Sequence, residues 1–487
     1  MPTPDHDIII LGAGLGGIGM GCILRDRGQH DFRIIEKADS AGGTWRENVY
    51  PGAACDTESH LYCYSFALHL DVSRIYAQQP ELLGYAQRLI DEHGLAPHID
   101  YNQEIVAADW NDAGGYWSIA LKSGRTITTR IFVAAWGQLN RPLIPPVTGR
   151  EDFAGMQFHS ACWPGGLDLT GKRVASVGNA ASAVQYIPEV ARQARHLTVF
   201  QRSPNWVLPR GDRRYSDEEL ALYTHDPDRF RQNKADLFAW RETTFLRMRE
   251  GSAEAADLEH QARLHLDQQV PDAALHAKLL PDFPLGCKRV LRSDDYFPAL
   301  MRENVDLVTS GIAQIVPEGI ITTDGTLHAV DVIVWGTGFE TQTFQGPVEV
   351  HGVDGCDLRA KWQDGAHAYK GMTVTGFPNF FMIYGPNTNL GHNSILSMFE
   401  AQFGYIAQAA ADIVSNQCAL DVTQSAMDSY DAALQSDLMG SAWAGNCTSW
   451  YKNAKGRVIN NWSGPVQSYV DQTATFDRDA YRMHGRV

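Results

Sequence analysis

The sequence predicts an α/β architecture with two βαβ units, the second inserted into the first. Three observations lead to it: two strand–glycine–helix turns of matched spacing, residues of opposite charge closing the two units, and two later strands that each run into a glycine.

The first unit opens near the N-terminus. Ile8, Ile9, Ile10 and Leu11 form a short apolar run that reads as a buried parallel strand. Gly12, Gly14 and Gly17 follow in the spacing GxGxxG. The first glycine permits the tight turn, the second lets backbone approach a pyrophosphate, and the third lets helix pack on strand. Phosphates then sit at a helix N-terminus. Glu36 ends the next apolar strand, Phe32 to Ile35. A carboxylate there accepts both ribose hydroxyl protons and repels a further phosphate, so an adenosine with a free ribose is implied.

The second unit repeats the arrangement, with Arg173 to Val177 as strand and Gly178 to Ala183 as turn. Ala180 and Ala183 stand where the second and third glycines belong. The spacing nevertheless matches: 24 residues separate Gly12 from Glu36, and 24 separate Gly178 from Arg202. Arg202 follows the strand Leu197 to Phe200 and has the opposite sign to Glu36. Its planar fork suits a ribose phosphate, which favours NADPH over NADH.

Residues 1–146 and 372–487 are expected to form one discontinuous domain, and 147–371 a domain inserted into it. Within 1–146, Tyr116 to Arg130 resembles a small antiparallel excursion, and the strand Ile131 to Ala135 ends at Gly137. Pro142, Pro145 and Pro146 mark a crossing. Inside 147–371, a charged, glutamine-rich stretch, Ser216 to Leu280, has the phasing of two or three amphipathic helices, a helical insert over about 212–282. Strand Val330 to Trp335 runs into Gly336 and Gly338 and marks the return. A further strand in GFPNFFMIYGP and a helix beginning near Ser394 complete the chain.

At 487 residues, 44% hydrophobic and 20% charged, the composition is that of a globular protein of two or three domains. A net charge of −16 argues against a nucleic-acid partner and for local cations that recruit anionic cofactors. No apolar run reaches the roughly 18 residues of a membrane span, and MPTPDHD lacks the features of a signal peptide. A cytoplasmic location is therefore expected. The eight cysteines form no CxxC pair and lie near no histidines at zinc spacing, so no metal site is expected and the thiols are expected to be reduced. A disulfide reductase, which needs a close redox cysteine pair, is disfavoured.

Between the two units lies FAGMQFHSACWP, residues 153–164, with Phe153, Gly155, His159 and Trp163 at the positions of FxGxxxHxxxW-P. This segment resembles the fingerprint of Baeyer-Villiger monooxygenases. The likeness extends over GGTWRENVYPGAACDTESHLYCYSF at 42–66, FPLGCKR at 283–289, DVIVWGTGF at 331–339 and CTSWY at 447–451. It implies two Rossmann-like domains binding FAD and NADP(H), the NADP domain inserted into the FAD domain. It implies an NADPH- and dioxygen-dependent flavoprotein that adds one oxygen atom beside a ketone carbonyl, through a flavin peroxide, to give an ester or lactone. Both peroxide and adduct are anionic, so a permanently protonated planar donor is the most useful side chain.

By the same resemblance Arg289 is the catalytic arginine and Asp56 its acidic anchor. FAD contacts are Gly12, Gly14, Gly17, Glu36, Thr44, Trp45, Asp56, Tyr62 and Ile395. NADP contacts are Gly178, Ser182, Arg202, Ser203, Lys288 and Trp450. His159 and Trp163 lie in the interdomain connection and are read as linking the domains, His159 not as a general base. Ala54 departs from the family's usual arginine, and Ala180 departs from glycine. The alternatives are a heteroatom-oxygenating flavin monooxygenase, which typically lacks the Trp163–Pro164 ending, and a flavin-binding protein without oxygenase activity.

Overall fold

The computed structural model describes residues 3–445 and 447–486. Among these, the first sheet runs in the order Glu349–His351, Ile105–Asn111, Tyr116–Leu121, Thr126–Ala134, His6–Leu11, Phe32–Ile35, Ile99–Asp100, with Phe380–Met382 also paired to Thr126–Ala134. Its centre is parallel, with Ile10 opposite both Ile34 and Val133. Ile8, Ile9 and Ile10 are wholly buried, as a strand covered on both faces requires. The excursion expected at Tyr116 to Arg130 is present: Tyr116–Leu121 pairs antiparallel with both neighbours. Its last strand continues without a break into the parallel core, so the strand read from Ile131 begins at Thr126.

The second sheet is parallel throughout, in the order Val305–Val308, His196–Phe200, Arg173–Val177, Val332–Trp335, Met156–His159. The fingerprint segment thus supplies its edge strand. A second antiparallel excursion, Ile312–Val316, Gly319–Thr322 and Leu327–Ala329, precedes Val332–Trp335. The two units therefore repeat each other in their excursions as well as in their turns.

The chain crosses between the sheets twice, and the crossings lie side by side. Glu340 N donates to Arg141 O at 2.8 Å and Leu143 N donates to Gly338 O at 2.9 Å. Beyond the second crossing, Glu349–His351 pairs with Ile105–Asn111. The chain has therefore rejoined the first sheet before residue 372, where the sequence suggested the return. Three residues of strand are too few to show a period.

The insert contains four α-helices rather than two or three: Asp217–His225, Pro227–Thr243, Ala253–Gln269 and Ala273–Leu279. Each begins at its own cap. Ser216 and Glu219 form a reciprocal capping box, Asp226 caps a helix with proline at its first position, and Ser252 and Asp272 cap the other two. Apolar phasing underestimates the number because Asp217–His225 buries no residue and Pro227–Thr243 buries only Phe230 and Arg241. Arg241 holds the insert to the first domain: its Nε and Nη2 donate to both oxygens of Glu58 at 2.7–3.0 Å, and both residues are buried. Removing one partner of such a pair strands a buried charge, so Glu58→Ala is expected to cost about 3–5 kcal/mol. A denaturation midpoint equal to that of the parent would refute this anchoring.

Candidate active site

Both glycine turns stand at the C-terminal ends of parallel strands, where doubly wound sheets bind ligands. Gly12 has φ +96°, and a Cβ there would lie 2.8 Å from Ala135 O. A Cβ on Gly17 would lie 1.9 Å from Gly12 O, so the turn admits no side chain. The helix behind it, Leu15–Asp26, has neither a side-chain cap nor an acid in its first turn, which leaves its N–H groups for an anion. Glu36 is buried beneath the turn, one oxygen accepting from Ala13 N at 2.8 Å and the other from Ala38 N at 2.9 Å. A carboxylate oxygen accepts more than one hydrogen bond, so both retain capacity for hydroxyl groups.

Residues 42–66 fold over this turn. Gly42 N donates to Ala13 O at 2.8 Å, and a Cβ on Gly43 would come within 2.8 Å of Gly14 Cα. Thr44 begins a short exposed helix there. Trp45 Nε1 donates to Tyr62 OH at 3.3 Å with the rings edge to face. Ile395 stands apart from the turn as the first residue of helix Ile395–Asn416, where it packs between two apolar clusters.

Asp56, on the same segment, accepts from Nη2 of Arg289, 233 residues later. Arg289 is 40% and Asp56 33% exposed by side chain, so both keep part of their surface open. The charge of Asp56 raises the arginine's pKa further. Burial pushes Asp56 up, but the charge and hydrogen bond of Arg289 and the charges of Arg210 and Arg241 outweigh it and hold the carboxyl below its ordinary value. The pair is ionised and joins the two domains.

Next to Arg289 a cleft of about 430 Å³ is lined by Arg202, Ser203, Phe283, Lys288 and Cys447 among others. Lys288 Nζ donates to Ser203 Oγ at 2.9 Å and lies 4.2 Å from the centre of the Phe283 ring. Burial, and then the like charge of Arg202, lower its pKa. Asp282 lines the same cleft and offsets part of this charge, and the two cations together with the Ser203 hydroxyl can receive an anion. Gly178, φ +106°, opens the second turn, and Ser182 precedes helix Ala183–Gln193, whose first turn has no acid. Trp450 is not among the residues lining the cleft; its ring packs on Tyr451 and its carbonyl accepts from Gln342 and Asn460.

A curated Baeyer-Villiger monooxygenase of Streptomyces coelicolor is 37% identical to this chain over 98% of it and 92% of the relative. The chain belongs to the Baeyer-Villiger monooxygenases. A second member, from Pseudomonas aeruginosa, is 36% identical over 99% of this chain and 93% of its own length. A crystal structure of OTEMO in complex with FAD and NADP is similar with TM-score 0.89 at 28% identity, covering 99% of this chain and all of that one. A family model described as pyridine nucleotide-disulphide oxidoreductase matches residues 9–218.

In this Baeyer-Villiger monooxygenase the fingerprint is structural in its geometry. His159 is buried, its Nε2 donating to Gly338 O at 2.8 Å and its Nδ1 accepting from Ala161 N at 3.1 Å. Both nitrogens are occupied in one neutral tautomer, and burial lowers its pKa. Because Gly338 also receives Leu143 N, the histidine stitches the edge strand to both crossings. Phe153 packs beneath the second sheet, a Cβ on Gly155 would strike Asp331 O at 2.4 Å, and Trp163 packs on Phe158 and Tyr186.

Sequence reasoning missed three features. Gln185 reaches from the second domain to the first: its Nε2 donates to Ala54 O at 2.9 Å and its Oε1 accepts from Tyr50 OH at 3.0 Å. Tyr384 and Tyr451 crowd Arg289, and burial pushes Tyr451 up to about 12. The third is a correction: Cys287 and Cys447, expected as free thiols, are joined in a disulfide with Cα atoms 6.3 Å apart. Their 160-residue separation leaves no local signal, and neither lies in the stretch 9–218. Cys55 and Cys63 are buried free thiols. Among the described residues no helix is long and apolar enough to cross a membrane, and no side-chain cluster would hold a metal. Proteolysis without reductant is expected to release one linked peptide containing Cys287 and Cys447; recovery of both as alkylated free thiols would overturn the pairing.

Proposed function

We propose that this chain is an NADPH- and dioxygen-dependent FAD monooxygenase that inserts one oxygen atom beside a ketone carbonyl to give an ester or lactone. The observation that carries this reading is the Asp56–Arg289 ion pair facing the cleft between two dinucleotide units, in a chain of this family. The residues present fit the cofactors. The uncapped turn at Gly12, Gly14 and Gly17 suits the FAD pyrophosphate and Glu36 its ribose, with Thr44, Trp45, Asp56 and Tyr62 on the segment folded over it. Gly178 and Ser182, with Arg202, Ser203 and Lys288, line the course for NADPH, Arg202 and Lys288 meeting its ribose phosphate. Ile395 and Trp450 complete the two sets more distantly. Residues 1–146 with the returning segment form the FAD domain, and the second sheet with its helical insert forms the NADP domain.

Bound FAD, once reduced by NADPH, supplies the activation of dioxygen. The protein's part is charge, position and dryness. Arg289 keeps a fixed positive charge, which stabilises negative charge developing on the reacting oxygen atoms. Asp56 fixes the guanidinium without neutralising it by proton transfer, since Arg289 is the stronger base by a wide margin. Tyr384 and Tyr451 help to exclude water around it.

With NADPH and a panel of ketones the purified flavoprotein is expected to form esters; sulfoxides or N-oxides alone would move the reading to a heteroatom-oxygenating enzyme. Arg289→Ala is expected to retain FAD and to lower ester formation by about a hundredfold or more, as removal of an oxyanion donor does. Ester formation at the parental rate would sink the assignment. Arg202→Ala is expected to raise KM for NADPH about tenfold or more while leaving that for NADH nearly unchanged, the loss of one charge-assisted contact. An equal change for both nucleotides would remove Arg202 from the phosphate site.

A further inference from the structure

Away from the NADPH cleft, a partly open cavity of about 60 Å³ is lined by Arg241, Arg247, Arg292 and His392 together with Met248, Leu258 and Val290. Three guanidiniums around one small space demand an account of their counter-charges. Arg241 has one, since both its donating groups are taken by Glu58. Arg292 gives only a hydrogen bond to Pro209 O at 3.2 Å, and among the described residues neither it nor Arg247 faces a carboxylate in an ion pair. Burial, and then repulsion from Arg241, lower the pKa of Arg292 by more than Tyr76, Glu58 and Asp56 raise it.

His392 adds an independent pointer. Its side chain is 1% exposed, its Nε2 lies 3.3 Å from Glu242 Oε1, and its buried Nδ1 has no partner among the described residues. Glu242 is itself saturated, accepting also from Asn393 Nδ2, Val466 N and Gln467 N. A buried ring nitrogen left open in this way, on a residue of the cavity wall, is available to a ligand there. Buried polar nitrogens are normally partnered, and one small anion in the cavity would serve His392 together with the half-buried Arg247 and Arg292.

We propose that this cavity is a carboxylate subsite, and that the ketone oxidised by this enzyme carries a carboxylate that docks there. The inference rests on the monooxygenase reading above. At about 10–15 Å³ of cavity space per water, about 60 Å³ holds a few water molecules and so admits a planar carboxylate head. Guanidinium and carboxylate match as planar forks. Position selects the source. Val290, in the cavity wall, directly follows Arg289, and Asp56 senses the charge of Arg241. A keto acid held by its carboxylate would therefore lie with its chain leading toward Arg289, the apolar wall of Met248, Leu258 and Val290 covering its methylene groups.

The test uses the FAD-loaded enzyme with methyl ketones ending in a carboxylate and with the methyl esters of the same compounds. The parent enzyme is expected to prefer the acid in kcat/KM by about tenfold or more. Arg247→Ala and Arg292→Ala are expected to bring the acid-to-ester ratio near unity, and Arg247→Lys to restore part of it. Arg292 lies in a paired strand and Arg247 in a single turn of helix, so Arg247 carries the test if the Arg292 variant does not fold. Equal use of acid and ester by the parent, or a preference that persists in Arg247→Ala, overturns the proposal. Equilibrium dialysis of the same acids and esters separates it from the reading on which it rests: tighter binding of the acid without oxygenation of any ketone would keep the subsite and refute the monooxygenase. Acetate is the remaining arm. If acetate protects the enzyme against thermal unfolding through Arg247 while acid and ester are used equally, the cavity holds a free anion and the substrate assignment falls.

Discussion

An arginine enclosed in a protein cannot shed its charge, and this molecule is organised around one such residue. Arg289 belongs to the inserted domain and Asp56 to the segment folded over the first glycine turn, so their ion pair can form only when the two domains are in register. Asp56 also feels Arg210 and Arg241, and Arg210 donates to the carbonyl of Cys55 at 2.9 Å. The carboxylate is thus the common counter-charge of a positive surface that would otherwise repel itself. Both members of the pair keep part of their surface open. That combination leaves the charge fixed in direction yet accessible to whatever enters.

The remaining attachments between the domains differ in strength. At the crossings, main-chain bonds between Arg141–Leu143 and Gly338–Glu340 are reinforced by the histidine of the fingerprint and by the Arg141–Glu340 ion pair. Across the cleft, the contact of Gln185 with Tyr50 and Ala54 depends on one side chain, each bond contributing about 0.5–1.5 kcal/mol. Ala54 matters here through its backbone, which both gives and receives a bond from Gln185.

What the sequence made legible was whatever is encoded within one βαβ unit. The turns at Gly12 and Gly178, the closing residues Glu36 and Arg202 and the strand-to-glycine crossings all have fixed local spacing, and the structure has each of them. What it concealed depends on distance or on weak burial. The Cys287–Cys447 pair closes a loop with no periodic trace, and an expectation of reduced thiols prevailed over it. The four helices of the insert are specified by their caps more than by an apolar face. Gln185 looks in sequence like any polar residue of an amphipathic helix, and its role exists only because Tyr50 and Ala54 arrive from 131 residues away or more.

The alanines of the second turn show how the same packing problem was solved twice. In the first unit the glycine of the turn faces Ala135 at the end of the neighbouring strand; in the second, Gly178 faces Gly336 in the equivalent place. The glycine missing from the helix has a counterpart on that strand, where a Cβ on Gly336 would lie 2.5 Å from Tyr186 OH and 3.5 Å from the methyl of Ala183. The helix also starts later, five residues after Gly178 compared with three after Gly12, and the longer turn makes room for Ala183 to be buried. Close approach of helix to sheet is thereby kept without the third glycine. Ala180 has no such compensation, and its methyl is exposed in the turn itself, where it narrows the backbone approach that a glycine would leave open.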